Sequence, residues 1–130
     1  MEKDIKYTIS KTTNGKYSNV KYNDYNGLVI ENEFGQMITV DKLSAGTIDQ
    51  MYLGFRLAIA DKYHKVPIIF DEAFVFCDDI RLTNILKTLS EMAEDRQIII
   101  LSCSAREKQI LEKLNVDFNC LKIDWEYISI

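Results

Sequence analysis

The chain has 130 residues, enough for one domain with a single core or for a large piece of a bigger one. Hydrophobic residues make up 47% and charged residues 28%, a balance that excludes a disordered or fibrous chain. The net charge is −4, and Lys3, Lys6, Lys11, Lys16 and Lys21 are spread among acids, which argues against an electrostatic nucleic-acid clamp within this segment.

In chain order, the first dozen residues leave helix and strand open. Residues 17–40 read as β structure with two turns. Asn23-Asp24-Tyr25-Asn26-Gly27 separates Tyr17–Tyr22 from Leu28–Glu31, and Phe34-Gly35 separates that strand from Met37–Val40. A small-residue turn, Ser44-Ala45-Gly46, then runs into a helix expected over 47–63. Its apolar stripe is formed by Ile48, Met51, Tyr52, Phe55, Ile59 and Tyr63, and Thr47-x-x-Gln50 has the pattern of a capping box.

Pro67 opens a short apolar run, "VPIIFDE", of the kind buried on both faces of a parallel sheet. A helix follows Asp78 and Asp79, with Leu82, Ile85, Leu86, Leu89, Met92 and Ala93 on one face. "QIIILSC" over 97–103 is a second apolar strand. Ser104-Ala105-Arg106-Glu107 reads as another capping box, opening a helix to about Leu114, and 116–123 and 125–130 read as a closing pair of strands. Strand, helix, strand, helix with right-handed crossovers predicts an α/β layered sheet.

Cys77, Cys103 and Cys120 form no C-x-x-C pair and stand beside apolar residues, so buried free thiols of a reducing compartment are expected. No apolar run approaches the roughly 18 residues that cross a bilayer, and charged residues follow Met1. The expectation is a cytoplasmic protein without a membrane partner.

Chemistry points first to Asp71 and Glu72, adjacent carboxylates at the end of an apolar strand. Open α/β sheets bind ligands at that end of their strands. An aspartate there suits Mg²⁺ held through water beside phosphates, and a neighbouring glutamate can orient or deprotonate an attacking water. Taken alone the pair also fits solvated acids in a turn, as Ser44 and Thr47 alone fit a simple helix cap. His64, between Lys62 and Lys65, reads as a surface or C-cap residue.

"LSAGTIDQ", a helix, "VPIIFDEAF", "CDD" and "QIIILSCSARE" occur in this order, with 27 positions from Ser44 to Asp71. Together, over about residues 15–125, they resemble the C-terminal half of the ABC-type ATPase head of SMC-like, RecF/RecN-like and related coiled-coil repair ATPases. The likeness is strongest to bacterial AAA-type proteins of that group, whose signature helix reads like "LSxGTxxQxYLxxRLA". Leu43, Ser44, Gly46, Thr47, Gln50, Tyr52, Leu53, Arg56, Leu57 and Ala58 match it.

The resemblance implies a P-loop NTPase fold, with residues 1–130 as one C-terminal lobe: a layered sheet with flanking helices and β-hairpins. It implies ATP and Mg²⁺ as ligands. Leu43, Ser44, Ala45, Gly46, Thr47 and Gln50 would then form the signature site, where a helix N-terminus faces the γ-phosphate of ATP held by a second head. Asp71 would serve the metal and Glu72 the attacking water, while Cys77-Asp78 would belong to the D-loop. The implied partners are a second head in an ATP-bound homodimer, and DNA and a nuclease subunit reached through the full-length protein in DNA repair or chromosome maintenance.

Two departures stand out. The phosphate-cradling G-x-x-x-x-G-K-[ST] loop is absent, since Gly15-Lys16 is followed by Tyr17 and preceded five residues earlier by Ser10. In the family that loop lies in an N-terminal segment beyond a long coiled coil, so the chain is expected to be one lobe, cut from a longer protein or encoded by a split gene. Second, Ser104 stands where the family places a switch histidine, and a hydroxyl cannot carry the charge of an imidazolium.

Three functions are therefore carried forward. The first is a lobe of an ATP-hydrolysing head, the isolated chain being inactive. The second is an ATP-gated dimerisation module with little turnover. The third is an unrelated α/β domain using Asp71 and Glu72 for a metal alone.

Overall fold

In the computed structural model, residues 2–62 and 66–123 are described. The opening segment is a helix, α1 (Glu2–Thr12), that buries Ile9 completely and packs Ile5 at its side. Its inner face is completed by threonines. Thr12 and Thr13 donate their hydroxyls to the carbonyls of Thr8 and Ile9 at 2.9 and 2.7 Å, which makes them burial-competent. The helix ends at Asn14 and Gly15, both with positive φ.

The expected β structure follows as an antiparallel meander of β1 (Tyr17–Asn23), β2 (Gly27–Asn32) and β3 (Met37–Thr39). Side-chain amides build both turns: Asn23 accepts from the Tyr25 N–H, and Asn32 from those of Phe34 and Gln36. Val40, expected to extend the third strand, instead opens a 3-10 turn over Val40–Lys42. The meander packs Tyr17 and Ile30 against Ile9 and against Met51 of α2 (Ala45–Lys62).

The expected apolar stripe of α2 is buried only in part: Met51 is buried and Phe55 packs against the meander core. Thr47, Gln50, Met51, Gly54, Leu57 and Ala58 face inward, while Tyr52 and Ile59 are exposed. Close approach of α1 explains the rotation. A Cβ on Gly54 would lie 2.9 Å from Ile9 Cγ1, so small residues, not large ones, line that contact.

The second half carries β4 (Ile68–Asp71), α3 (Asp79–Met92), β5 (Ile98–Leu101) and α4 (Arg106–Lys113). β4 and β5 pair in parallel, with Asp71 opposite Leu101. Leu82, Ile85, Leu86 and Leu89 of α3 form a core with Leu57, Phe70, Phe74 and Ile110. The expectation that both faces of this sheet are buried is corrected: Ile69 is 61% exposed and Leu101 is also exposed. α3 and α4 supply the apolar cover of one face only, and among the described residues the sheet has two strands.

Three further expectations change or fall outside the described residues. Residues 116–123 form no strand, and Leu121 and Ile123 are exposed with no neighbouring strand to pair with among the described residues. Cys103 and Cys120 are exposed and only Cys77 is half-buried, so the expected buried thiols are not found. Each of the two lies on a surface segment after a core element, so apolar sequence neighbours did not imply burial. The 125–130 strand, Tyr63 and His64 lie outside the described residues. No described helix is long and apolar enough to cross a membrane.

Candidate nucleotide and head interface site

The Ser44 turn is built by capping. Leu43 is extended and packs at the edge of the meander core, which fixes where the chain enters α2. The Ser44 carbonyl accepts from the N–H groups of Thr47 and Ile48 at 2.9 and 3.0 Å. Its hydroxyl accepts from Thr47 N at 3.3 Å and pairs with the Thr47 hydroxyl at 2.8 Å. Ser44 is therefore the cap, one turn ahead of the expected capping box at Thr47. Gln50 takes no part in that cap. Its amide is buried and donates to the Thr12 carbonyl at 3.0 Å, tying α2 to α1.

Asp71 and Glu72 sit at the carboxyl end of β4, and both are exposed. Glu72 has φ of 46°, a left-handed conformation uncommon for a glutamate. Two bonds hold it there: its N–H donates to Leu101 O at 2.9 Å, and its Oε1 accepts from Cys103 N at 2.6 Å. The same carboxylate pushes the Cys103 thiol up, chiefly through a side-chain hydrogen bond and then through charge.

The turn after β5 is organised by Ser102 rather than by a capping box at Ser104. Ser102 Oγ accepts from Ser104 N at 3.1 Å and donates to the buried Glu107 carboxylate at 3.1 Å. Ser104 Oγ accepts from Arg106 N at 3.1 Å, and Ala105 precedes α4 without a side-chain cap. Glu107 thus reaches Ser102, not the Ser104 backbone.

Arginines join these loops, and the sequence reading missed both. Arg106 donates to the carbonyls of Cys77 and Phe74, each at 2.8 Å, and clamps the loop that leads to Asp78. Burial pushes the Cys77 thiol up against the opposing pull of Arg106. Asp78 caps α3 by accepting from Arg81 N at 2.8 Å. Arg81 then reaches back to Ser44, with Nη2 3.5 Å from its Oγ. Only the third residue of a helix's first turn being cationic hinted at Arg81, and a basic residue after a capped turn hinted at Arg106.

The site residues thus fall into two linked groups. Asp71 and Glu72 end β4, where Glu72 bonds the Cys103 N–H next to Ser104, while Ser44, paired with Thr47, is joined to Asp78 through Arg81. Gln50 belongs to neither. Among the described residues no cluster of three Asp, Glu, His or Cys side chains could hold a metal alone. Exposed Asp71 fits instead an Mg²⁺ that keeps its waters and phosphate oxygens, the manner in which that ion binds with one or two carboxylates.

No family model matches the chain. The Bacillus subtilis protein YhaN is 29% identical over 101 residues, 74% of this chain and 10% of YhaN, so the chain spans about a tenth of that curated relative's length. Among solved structures, one of SMC ATPases concerned with ATP-driven dimerization and DNA stimulated activation matches with a TM-score of 0.70 at 17% identity, over 84% of this chain and 70% of its own. The SMC head domain from Thermotoga maritima matches at 0.68 and 16% identity, over 84% of this chain and 39% of its own. An Smc head bound to the C-winged helix domain of ScpA matches at 0.66 and 20%, over 84% and 36%. The fold is that of SMC ATPase heads, a P-loop NTPase-like α/β architecture, as the resemblance in the sequence implied.

Proposed function

We propose that this chain is the C-terminal lobe of an SMC-like ATPase head, giving a signature turn at Leu43–Thr47 and Walker B acids at Asp71 and Glu72 to an ATP-sandwiched dimer. The observation that carries the reading is the Glu72 carboxylate, held by the Cys103 N–H across the ends of two parallel strands. That bond aims one carboxylate oxygen and leaves the group exposed for a water.

Bound Mg²⁺–ATP would supply the transferable phosphoryl group and neutralise its charge. Asp71 would hold the hydrated ion. Glu72 would orient the attacking water and take its proton. The α2 N-terminus, with the Ser44 and Thr47 hydroxyls, would add favourable dipoles toward an anion presented by a second head. Asp78 would stand at the D-loop beside that interface.

The half-uncovered sheet supports a missing partner lobe. Ile69 and Leu101 expose apolar surface on one face of the β4–β5 sheet, which elements of a Walker A lobe packed on that face would cover. ATP-driven dimerisation and DNA stimulation are the behaviours expected of the completed head, with DNA and a nuclease subunit as partners of the full-length protein in DNA repair or chromosome maintenance. Ser104 favours a second reading, an ATP-gated dimerisation module with little turnover, because its hydroxyl is engaged as a local cap of Arg106 N.

The test is ATP hydrolysis with and without the Walker A lobe. The 130-residue chain alone should show none, and the complete head should hydrolyse ATP and dimerise with it. Glu72-dependent turnover by the isolated chain would overturn the lobe reading.

A further inference from the structure

We propose that Arg81 is a positioning residue that fastens the Asp78 loop to the Ser44–Gly46 turn, so that both reach a second head in one fixed relation. This rests on the reading of Leu43–Thr47 as the surface that meets that head.

One guanidinium makes all the connections. Arg81 Nε lies 3.4 Å from Asp78 Oδ2, and Nη2 lies 3.5 Å from Ser44 Oγ. Nη1 fills the space where a Cβ on Gly46 would stand, 2.2 Å from that position, with Cζ at 3.3 Å. Gly46 is not among the glycines of positive φ, so its backbone conformation does not demand glycine. Glycine leaves room for the guanidinium, which a side chain at 46 would push aside. A planar fork is the side chain suited to such a bridge, whereas a lysine offers one point charge.

Stability alone does not account for the arrangement. The guanidinium sits at the N-termini of both α2 and α3, where a positive charge is unfavourable, and Asp78 offsets it. An unfavourably placed charge bridging two loops is understandable when their mutual position matters. Lobes that dimerise through a turn and a neighbouring loop need both presented together, and fixing them beforehand removes an ordering cost at association.

The prediction concerns the complete head, this chain together with the lobe that carries the phosphate-cradling loop. Arg81→Ala should weaken ATP-dependent dimerisation about tenfold, the size of coupling usual for residues sharing one network. It should leave the single head's ATP affinity unchanged and shift the melting temperature of this chain by less than about 5 °C. Gly46→Ala should displace the guanidinium and weaken dimerisation similarly, and the double variant should be no worse than either single one. Arg81→Lys should not restore dimerisation. Light scattering with and without ATP reads each outcome. A parent head that fails to dimerise with ATP overturns the reading of Leu43–Thr47 and the inference with it. A parent that dimerises alongside an Arg81→Ala head that does so equally well, an additive double variant, or rescue by lysine overturns the inference alone.

Discussion

Glu72 Oε1 accepts a hydrogen bond from Cys103 N at 2.6 Å, across the carboxyl ends of β4 and β5. The bond ties the end of one strand to the turn after the next, and it holds a glutamate whose φ is 46°. A non-glycine residue in that region is sustained only where its surroundings determine it. Here the Leu101 carbonyl fixes its N–H and the Cys103 N–H fixes its carboxylate.

Glu72→Gln separates geometry from chemistry. The amide oxygen can still accept from Cys103 N, so the turn should keep its shape, but the amide cannot take a proton from water. In the complete head, ATP should bind while turnover falls by about a hundredfold or more, the usual contribution of a general base. Dimers formed with ATP should then persist. ATPase assays and light scattering check this, and parental turnover would remove Glu72 from the role of base.

The same pair predicts a cysteine reactivity. Glu72 holds the Cys103 thiol above its ordinary pKa, by hydrogen bond first and charge second. Removing the charge in Glu72→Gln should lower that pKa and raise the thiolate fraction in mildly alkaline buffer. Alkylation of Cys103 by iodoacetamide should then accelerate, while exposed Cys120 serves as the internal standard. Because the folded pKa lies above the unfolded one, this group's contribution to stability is present below the unfolded pKa and is lost as pH rises through the folded pKa. Equal alkylation rates in parent and variant would show that the carboxylate does not control the thiol.

Gly54→Ala tests the contact that rotates α2. Alanine has the better helix propensity, by about 1 kcal/mol. Yet the added Cβ would lie 2.9 Å from Ile9 Cγ1 and 3.3 Å from both Ile9 Cα and Thr12 Oγ1. Overpacking of this kind costs about 1–3 kcal/mol. The expected net effect is a destabilised chain, with melting lowered by about 4 °C for each kcal/mol lost. An unchanged or raised melting temperature would mean that α1 yields freely.

What could be read from the sequence followed the strength of the local pattern. Leu82, Ile85, Leu86 and Leu89 repeat at helical steps behind a capping Asp78, and α3 stands where that pattern puts it. Asparagine and glycine turns fixed the meander in the same way. α1 was illegible because threonines do much of its burial, and hydroxyls that bond the preceding turn leave no apolar period. The inward face of α2 was read only in part, because beside Met51 it uses Gly54, Ala58 and Gln50, residues that a hydrophobicity pattern counts as outside. The acids of β4 were found in the strand that carries them, but Arg81 was not. Its partner Ser44 lies 37 positions away, and only the folded chain brings them together.

Ser44→Arg addresses the turn itself. Ser44 caps α2 through its carbonyl and hydroxyl, and the side chain is exposed. Losing the hydroxyl cap costs about 1 kcal/mol, too little to unfold the lobe. The carbonyl bonds to Thr47 and Ile48 do not depend on the side chain. An arginine at 44 would stand beside Arg81, and repulsion between the two cations should drive the new side chain outward, over the end of α2. A single head should therefore keep its fold and its own ATP affinity, while a second head can no longer seat its nucleotide against the turn. ATP-dependent dimerisation and hydrolysis should be lost together. Ser44→Ala removes the cap without the bulk, so it should melt about as early as Ser44→Arg and still dimerise measurably. Light scattering of both variants in a Glu72→Gln background, with and without ATP, makes the comparison. If Ser44→Arg dimerises as that background does, residues 43–47 only begin a helix, and the head interface lies elsewhere.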